Sequence, residues 1–301
     1  MKKPATLNVR GHGLHLVTPF NDRSDVDFPA LERILARGLA AGVEFVWLLG
    51  PASELPLTSD VEREQVLAFV TDWVRGRVPL VVGIDGSDTR SVVQSCDRFE
   101  HPGIAALAVE APYAHSQAGI RGHFRSVAEA SPLPVFMVNS ARPDRGGMSV
   151  DTALELAHDE RFVGLIEASG EVAAMGELFR RRRPDFRLLC GTDALAWPLL
   201  ALGADGVASA ISNVFPETIS RLLAHAAFGA MEDARKAHHE LAPLMWREQK
   251  EGTAPVIKAI LHQLGRAKQN VRLPHTPVSE GLKAEIYAAL ADMDGVLADT
   301  V

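Results

Sequence analysis

Between residue 14 and about residue 215, short apolar runs of strand length recur eight times, each followed by an amphipathic segment of helical period. The runs are Leu14 to Thr18, Phe45 to Leu49, Leu80 to Ile84, Ala105 to Val109, Val135 to Val138, Val163 to Ile166, Arg187 to Cys190 and Val207 to Ile211. Asp60 to Arg75 and Val150 to Asp159 are typical of the helical segments between them. Strands that are apolar throughout, rather than on alternate residues, are buried on both faces, as in a parallel sheet covered by helices. Eight such units in roughly two hundred residues fit a closed (β/α)8 TIM barrel of the α/β class. A doubly wound sheet is the competing architecture, but no strand-linked G-x-G-x-x-G supports it.

After Pro216 the strand pattern stops. Glu217 to Phe228, Glu232 to Lys250, Ala254 to Leu264 and Glu280 to Ala291 carry helical periodicity, interrupted by a loop containing Pro274 and Pro277. The expected organisation is a barrel over residues 1–216 and a C-terminal helical domain over 217–301, docked without a long linker.

Composition narrows the function classes. With 301 residues and 47% apolar content the chain can bury a large core. A net charge of −7 argues against nucleic-acid and anionic-membrane partners, which need a basic face. The one basic run, Arg180 to Arg183, reads as a solvated helix end that complements the helix dipole. Cys96 and Cys190 are far apart and lack metal or redox spacing, so both read as buried apolar residues. No apolar run reaches membrane-spanning length and no signal-peptide core follows Met1-Lys2-Lys3, which makes the cytoplasm the expected compartment. Apart from Lys2 and Lys3 the first lysine is Lys236; residues 4–235 use arginine alone, and arginine cannot replace lysine in imine chemistry.

Ordered phrases along the chain resemble the dihydrodipicolinate synthase/N-acetylneuraminate lyase family. They include Leu16-Val17-Thr18-Pro19-Phe20, Gly50-Pro51-Ala52-Ser53-Glu54, Ala111-Pro112-Tyr113-Ala114-His115, and Leu133 to Asn139. Phe162 to Gly170, Gly191-Thr192-Asp193, Gly203 to Val207, Lys258-Ala259-Ile260-Leu261 and Val271-Arg272-Leu273-Pro274 continue the series. The resemblance implies a lyase of the class I aldolase superfamily, in which a lysine forms a Schiff base with a keto acid and hydroxyl groups relay protons. At the matching positions this chain has Ile166 for the lysine and Pro51, Ala114 and Val138 for the relay hydroxyls. The turn glycines Gly50, Gly164, Gly170 and Gly191 remain. Arg142 falls one residue short of the family's carboxylate-binding arginine and Arg145 two beyond it; either is a candidate for that role or a surface-loop residue. Lys258 lies in the tail, which the resemblance places away from the strand ends.

Groups that act in a (β/α)8 barrel lie at the C-terminal strand ends and the loops after them. Polar residues there are Thr18, Glu54, Asp85, Glu110, Tyr113, His115, Asn139, Glu167, Asp193 and Ser209. Asp85 and Glu110 depart from the resemblance and end adjacent strands. Two carboxylates in a low-dielectric pocket could work as an acid/base pair or as metal ligands. The plainer reading has Asp85 capping the helix near Thr89 and Glu110 paired with an arginine. Substrate-binding candidates are Glu54, Tyr113, Asn139, Arg142, Arg145, Gly191, Asp193 and Ala208, although Glu54, Glu167 and Asp193 also match residues the family keeps for scaffold hydrogen bonds. His12, His15 and His115 have no zinc or iron spacing, and neither a metal nor a cofactor is expected. Three readings stand: a family member that binds a small oxo- or hydroxy-carboxylate without an imine, either inert or running acid/base chemistry; a structural subunit with a closed pocket; and a pyruvate-dependent aldolase with a relocated lysine. The resemblance also implies self-association as a dimer or tetramer.

Overall fold

Each apolar run becomes a strand, and the eight strands hydrogen-bond in sequence order into a closed parallel barrel. They are β1 (Gly11–His15), β2 (Phe45–Leu48), β3 (Leu80–Ile84), β4 (Ile104–Glu110), β5 (Val135–Ser140), β6 (Phe162–Ala168), β7 (Arg187–Cys190) and β8 (Gly206–Ser209). The structure is a computed structural model that describes residues 9–86, 88–99, 101–112, 116–140 and 147–293. Helices α1 (Phe28–Ala40), α2 (Asp60–Val74), α3 (Thr89–Cys96), α4 (Gln117–Ala130), α5 (Val150–Leu156), α6 (Val172–Arg181), α7 (Ala196–Leu202) and α8 (Pro216–Ala227) follow the strands in turn. The tail adds α9 (Met231–Glu251), α10 (Thr253–Gln263) and α11 (Glu280–Ala291).

Local chemistry sets the helix starts. Ser59 and Glu62 form a reciprocal capping box at α2, satisfying two backbone N–H groups that the helix cannot pair itself. The cap of α3 is Asp88, whose Oδ1 accepts the N–H groups of Arg90 and Ser91 at 2.8 and 3.1 Å. Asp85 does not perform this capping. Because α8 packs on β1 and α1, it is the helix of the eighth β/α unit, and the barrel therefore runs past residue 216.

The strand interiors fill the barrel with Phe45, Trp47, Val81, Ala106, Ala108, Phe136, Val138, Ile166, Leu189 and Ala208. Side chains of opposite parity face the helices and form the larger core. Strand β1 begins three residues earlier than the apolar pattern suggests, at Gly11. A Cβ on Gly13 would lie 2.0 Å from Cζ of Phe45, so the glycine clears the space that Phe45 occupies in the barrel.

Candidate functional site

A cavity of about 370 Å³ opens at the C-terminal ends of the strands. His15 and Trp47 form one wall, Val138, Ser140 and the turn Ala168–Gly170 another, and the β7 turn Gly191–Leu195 a third. Pro51 lies in the turn after β2 and also lines the space. The tail closes it: α9 contributes Trp246, Glu248 and Gln249, and α10 contributes Thr253. The expectation that the tail packs away from the strand ends is therefore wrong, since this side of the site is built by α9 and α10.

Ile166 lies fully buried in the barrel layer beneath this cavity, in register with Val138 on one side and Leu189 on the other. A Cβ on Gly191 would come within 2.8 Å of Ile166 Cγ2, so the aliphatic side chain fills the space below the β7 turn. Ala208 belongs to the same buried layer, outside the cavity lining. Ala114, Tyr113, His115, Arg142 and Arg145 lie outside the described residues. Of the sequence candidates, Pro51, Val138, Gly191 and Asp193 reach the cavity.

Glu54 is engaged elsewhere. Its side chain and that of Lys258 are both fully buried and form an ion pair. Arg272 N–H donates to Glu54 Oε2 at 2.9 Å, and Lys258 Nζ donates to Asn270 O at 3.0 Å. The Lys258 ammonium and the Arg272 guanidinium also lie 4.0 and 4.2 Å from the Phe20 ring centroid. Burial lowers the Lys258 pKa to about 8, against the opposing pull of Glu54. This cluster pins the tail to the β2 turn and leaves Glu54 no free oxygen for a ligand.

Asn139 likewise bridges strand ends outside the described cavity lining. Its Nδ2 donates to Glu167 Oε2 at 2.9 Å and its Oδ1 accepts Met148 N–H at 2.9 Å. Asp85 and Glu110 each engage a side chain of another element. Asp85 lies 3.7 Å from Arg63 in a cleft of about 20 Å³ between α2 and β3, where burial raises its pKa. Glu110 accepts from Ser140 Oγ at 2.9 Å.

The acids that do meet the cavity are Asp193 and Glu248. Asp193 Oδ2 accepts the N–H groups of Ala210 and Ile211 at 2.9 and 2.8 Å, which fixes the carboxyl at the end of the barrel. Its Oδ1 and Glu248 Oε1 are buried without a hydrogen-bond partner among the described residues. Burial raises the pKa of both groups, and the charge of Asp193 raises Glu248 further, well above the ordinary carboxyl range. His15 stacks on Trp47 at 3.9 Å, and its Nε2 accepts Ala52 N–H at 3.2 Å, which places the ring proton on Nδ1. Burial lowers its pKa to about 3, so the imidazole is neutral. Glu248 was legible as an anomaly: it continues the buried stripe Leu241, Leu244, Met245 of α9, where a carboxylate has no packing reason to be.

Among the described residues no cluster of three or more His, Cys, Asp or Glu side chains could hold a metal ion, and no helix is long and apolar enough to cross a membrane. Residues 8–293 match the model of the dihydrodipicolinate synthetase family. A 4-hydroxy-tetrahydrodipicolinate synthase of Parabacteroides distasonis is 33% identical over 278 residues, covering 91% of this chain and 93% of the relative. The enzyme of that name from Azobacteroides pseudotrichonymphae is 34% identical over 287 residues, covering 94% and 96%. Among solved structures, dihydrodipicolinate synthase of Thermotoga maritima superposes with a TM-score of 0.89 at 29% identity, covering 95% of this chain and 99% of that one. A chloride-inhibited dihydrodipicolinate synthase of Acinetobacter baumannii in complex with pyruvate gives 0.90 at 27%, covering 95% and 99%. The match over nearly the whole chain, with the shared closed barrel and helical tail, means that this protein belongs to the dihydrodipicolinate synthetase family.

Proposed function

We propose that this chain takes a small oxo- or hydroxy-carboxylate into the strand-end cavity and handles it by acid/base chemistry, without an imine to a barrel lysine. The observation that carries the reading is the position of Ile166. An aliphatic side chain lies beneath an open cavity whose described lining contains no lysine, while two buried carboxyl groups border the space. An alkyl group cannot condense with a carbonyl, whereas a buried carboxyl with a raised pKa can give and take protons near neutrality. The volume of about 370 Å³ is at the small end of ligand pockets and argues against a closed, purely structural barrel. Lys258 is poorly suited as a relocated nucleophile, because its amine is held by Glu54 and Asn270 and is not part of the lining. Self-association as a dimer or tetramer belongs to the same proposal.

A second reading, synthesis of hydroxy-tetrahydrodipicolinate through a Schiff base, is favoured by the names of relatives about one third identical over nine-tenths of the chain. One experiment separates the two. Protein and pyruvate are treated with borohydride and the intact mass is read, beside Ile166→Lys under the same conditions. The expected result is no adduct on the parent chain and a pyruvate adduct on the variant. An adduct on the parent would overturn the proposal, and peptide mapping of the modified lysine would then identify the relocated nucleophile.

A further inference from the structure

The buried stripe of α9 runs through Leu241, Leu244, Met245 and Glu248. Trp246 lies off that stripe and is 66% exposed, yet it lines the strand-end cavity together with Gln249, one turn further along the helix. A tryptophan has about 150–250 Å² of surface to bury, and leaving it in water forfeits the hydrophobic free energy that covering it would return. Five other large apolar side chains are exposed among the described residues: Val61, Leu202, Phe228, Met231 and Leu273. None of them borders the cavity, so among the described residues Trp246 alone joins exposed aromatic surface to a ligand-sized space.

We propose that Trp246 is a stacking platform at the mouth of the cavity, and that the ligand it serves is a 2-oxo acid with an aryl side chain whose ring lies on the indole. The proposal rests on the oxo-carboxylate reading above and narrows it to a substrate class. Size supports it. At about 30 Å³ for each water of the liquid, about 370 Å³ holds roughly a dozen water-sized atoms, about twice what pyruvate fills and close to the whole of phenylpyruvate.

The walls agree with a flat, largely apolar ligand. His15 and Trp47 stack with their ring centroids 3.9 Å apart and their planes inclined by 12°, which gives the barrel side of the cavity an aromatic wall of its own. Pro51, Ala52, Val138 and Leu195 add apolar surface, and Thr192 of the β7 turn supplies a neutral hydroxyl for the polar end. The described lining contains no lysine or arginine, so apolar and aromatic contact has to supply affinity that an ion pair would otherwise give. A second copy of the chain is the competing cover for the indole. A subunit contact would account for the exposure of Trp246, but not for its place on the cavity lining with Gln249 beside it.

The test measures binding of pyruvate and of phenylpyruvate to the intact chain by calorimetry, in the parent, Trp246→Ala, Trp246→Phe and Phe228→Ala. The parent should bind phenylpyruvate about tenfold or more tighter than pyruvate, the scale of one aromatic contact. Trp246→Ala should erase that preference while changing pyruvate affinity far less. Trp246→Phe should keep part of the preference, and Phe228→Ala, exposed away from the cavity, all of it. Acrylamide quenching adds a readout that a merely structural role would not move. Of the four tryptophans only Trp246 is exposed, so the readily quenched emission that Trp246→Phe lacks belongs to it. After correction for ligand absorbance, phenylpyruvate should shield that emission and pyruvate should not. A preference that survives Trp246→Ala, or an indole already shielded by a second copy before ligand is added, would overturn the platform. Equal binding of the two acids would overturn it too and leave the oxo-carboxylate reading standing, whereas binding of neither would sink both.

Discussion

Lys258→Met removes the buried ammonium that holds the tail against the β2 turn. In the native chain Lys258 and Glu54 are both inaccessible to solvent, and the substitution leaves the Glu54 carboxylate with only the Arg272 N–H at 2.9 Å. An ion pair on the surface contributes less than about 1 kcal/mol, but orphaning one partner of a buried pair costs about 3–5 kcal/mol because the remaining charge stays desolvated. The lost ammonium contact to the Phe20 face acts in the same direction. For a chain of this size that corresponds to a drop in Tm of roughly 5–8 °C. The double variant Glu54→Gln with Lys258→Met removes both charges and should recover about half of the loss, since the expensive species is the unpaired carboxylate rather than the missing bond. The assay is urea and thermal unfolding of the parent, both single variants and the double variant. A loss below about 1 kcal/mol in Lys258→Met would refute the argument, as would a double variant no more stable than the single one. Pyruvate binding in the folded variant should remain, because the amine is not part of the cavity lining.

Two further outcomes are expected. Above the ordinary glutamate value of 4.5, Glu248 holds a proton in the native state that the unfolded chain has released, so stability falls as pH rises from there toward the raised native value. Glu248→Gln should flatten that fall above the ordinary glutamate range in unfolding titrations, leaving a residual slope from Asp193, Glu167 and Asp85, whose pKa values are raised as well. An unchanged slope would mean that Glu248 titrates alike in both states. Light scattering should return two or four times the 32.5 kDa chain mass, and a single chain mass would refute self-association.

The barrel was legible in the sequence because parallel strands buried on both faces leave continuous apolar runs, and seven of the eight begin within a residue or two of the observed strand. β1 was misplaced because its early residues are Gly11 and Gly13, which read as a turn until the bulk of Phe45 across the strand is known. The place of Ile166 was equally legible, since it lies in a strand whose register follows from its turn. The partner of each acid was not. Asp85 and Glu110 end neighbouring strands, yet one turns to Arg63 of α2 and the other to Ser140 of β5. Sequence spacing fixes which strands are adjacent but not which of several arginines or hydroxyls a carboxylate will choose.

The tail carries the larger lesson. Read by itself, α9 is an amphipathic helix docking somewhere on a barrel, and its one misplaced charge looks like noise. Once the tail is known to close the cavity, that charge becomes the strongest chemical signal in the chain. Glu248 occupies a core phase of the helix, raises its own pKa by being there, and faces a second buried acid across no compensating cation among the described lining residues. Stability alone would favour an apolar residue at that position, since a buried carboxyl without full hydrogen bonding costs about 1–3 kcal/mol. Ile166 in β6 and Glu248 on the buried stripe of α9 therefore mark the two walls, barrel and tail, at which the chemistry of this cavity is to be tested. The Glu54–Lys258 pair holds α10, which supplies Thr253 to the same cavity, against the β2 turn, although neither residue of the pair lines the space.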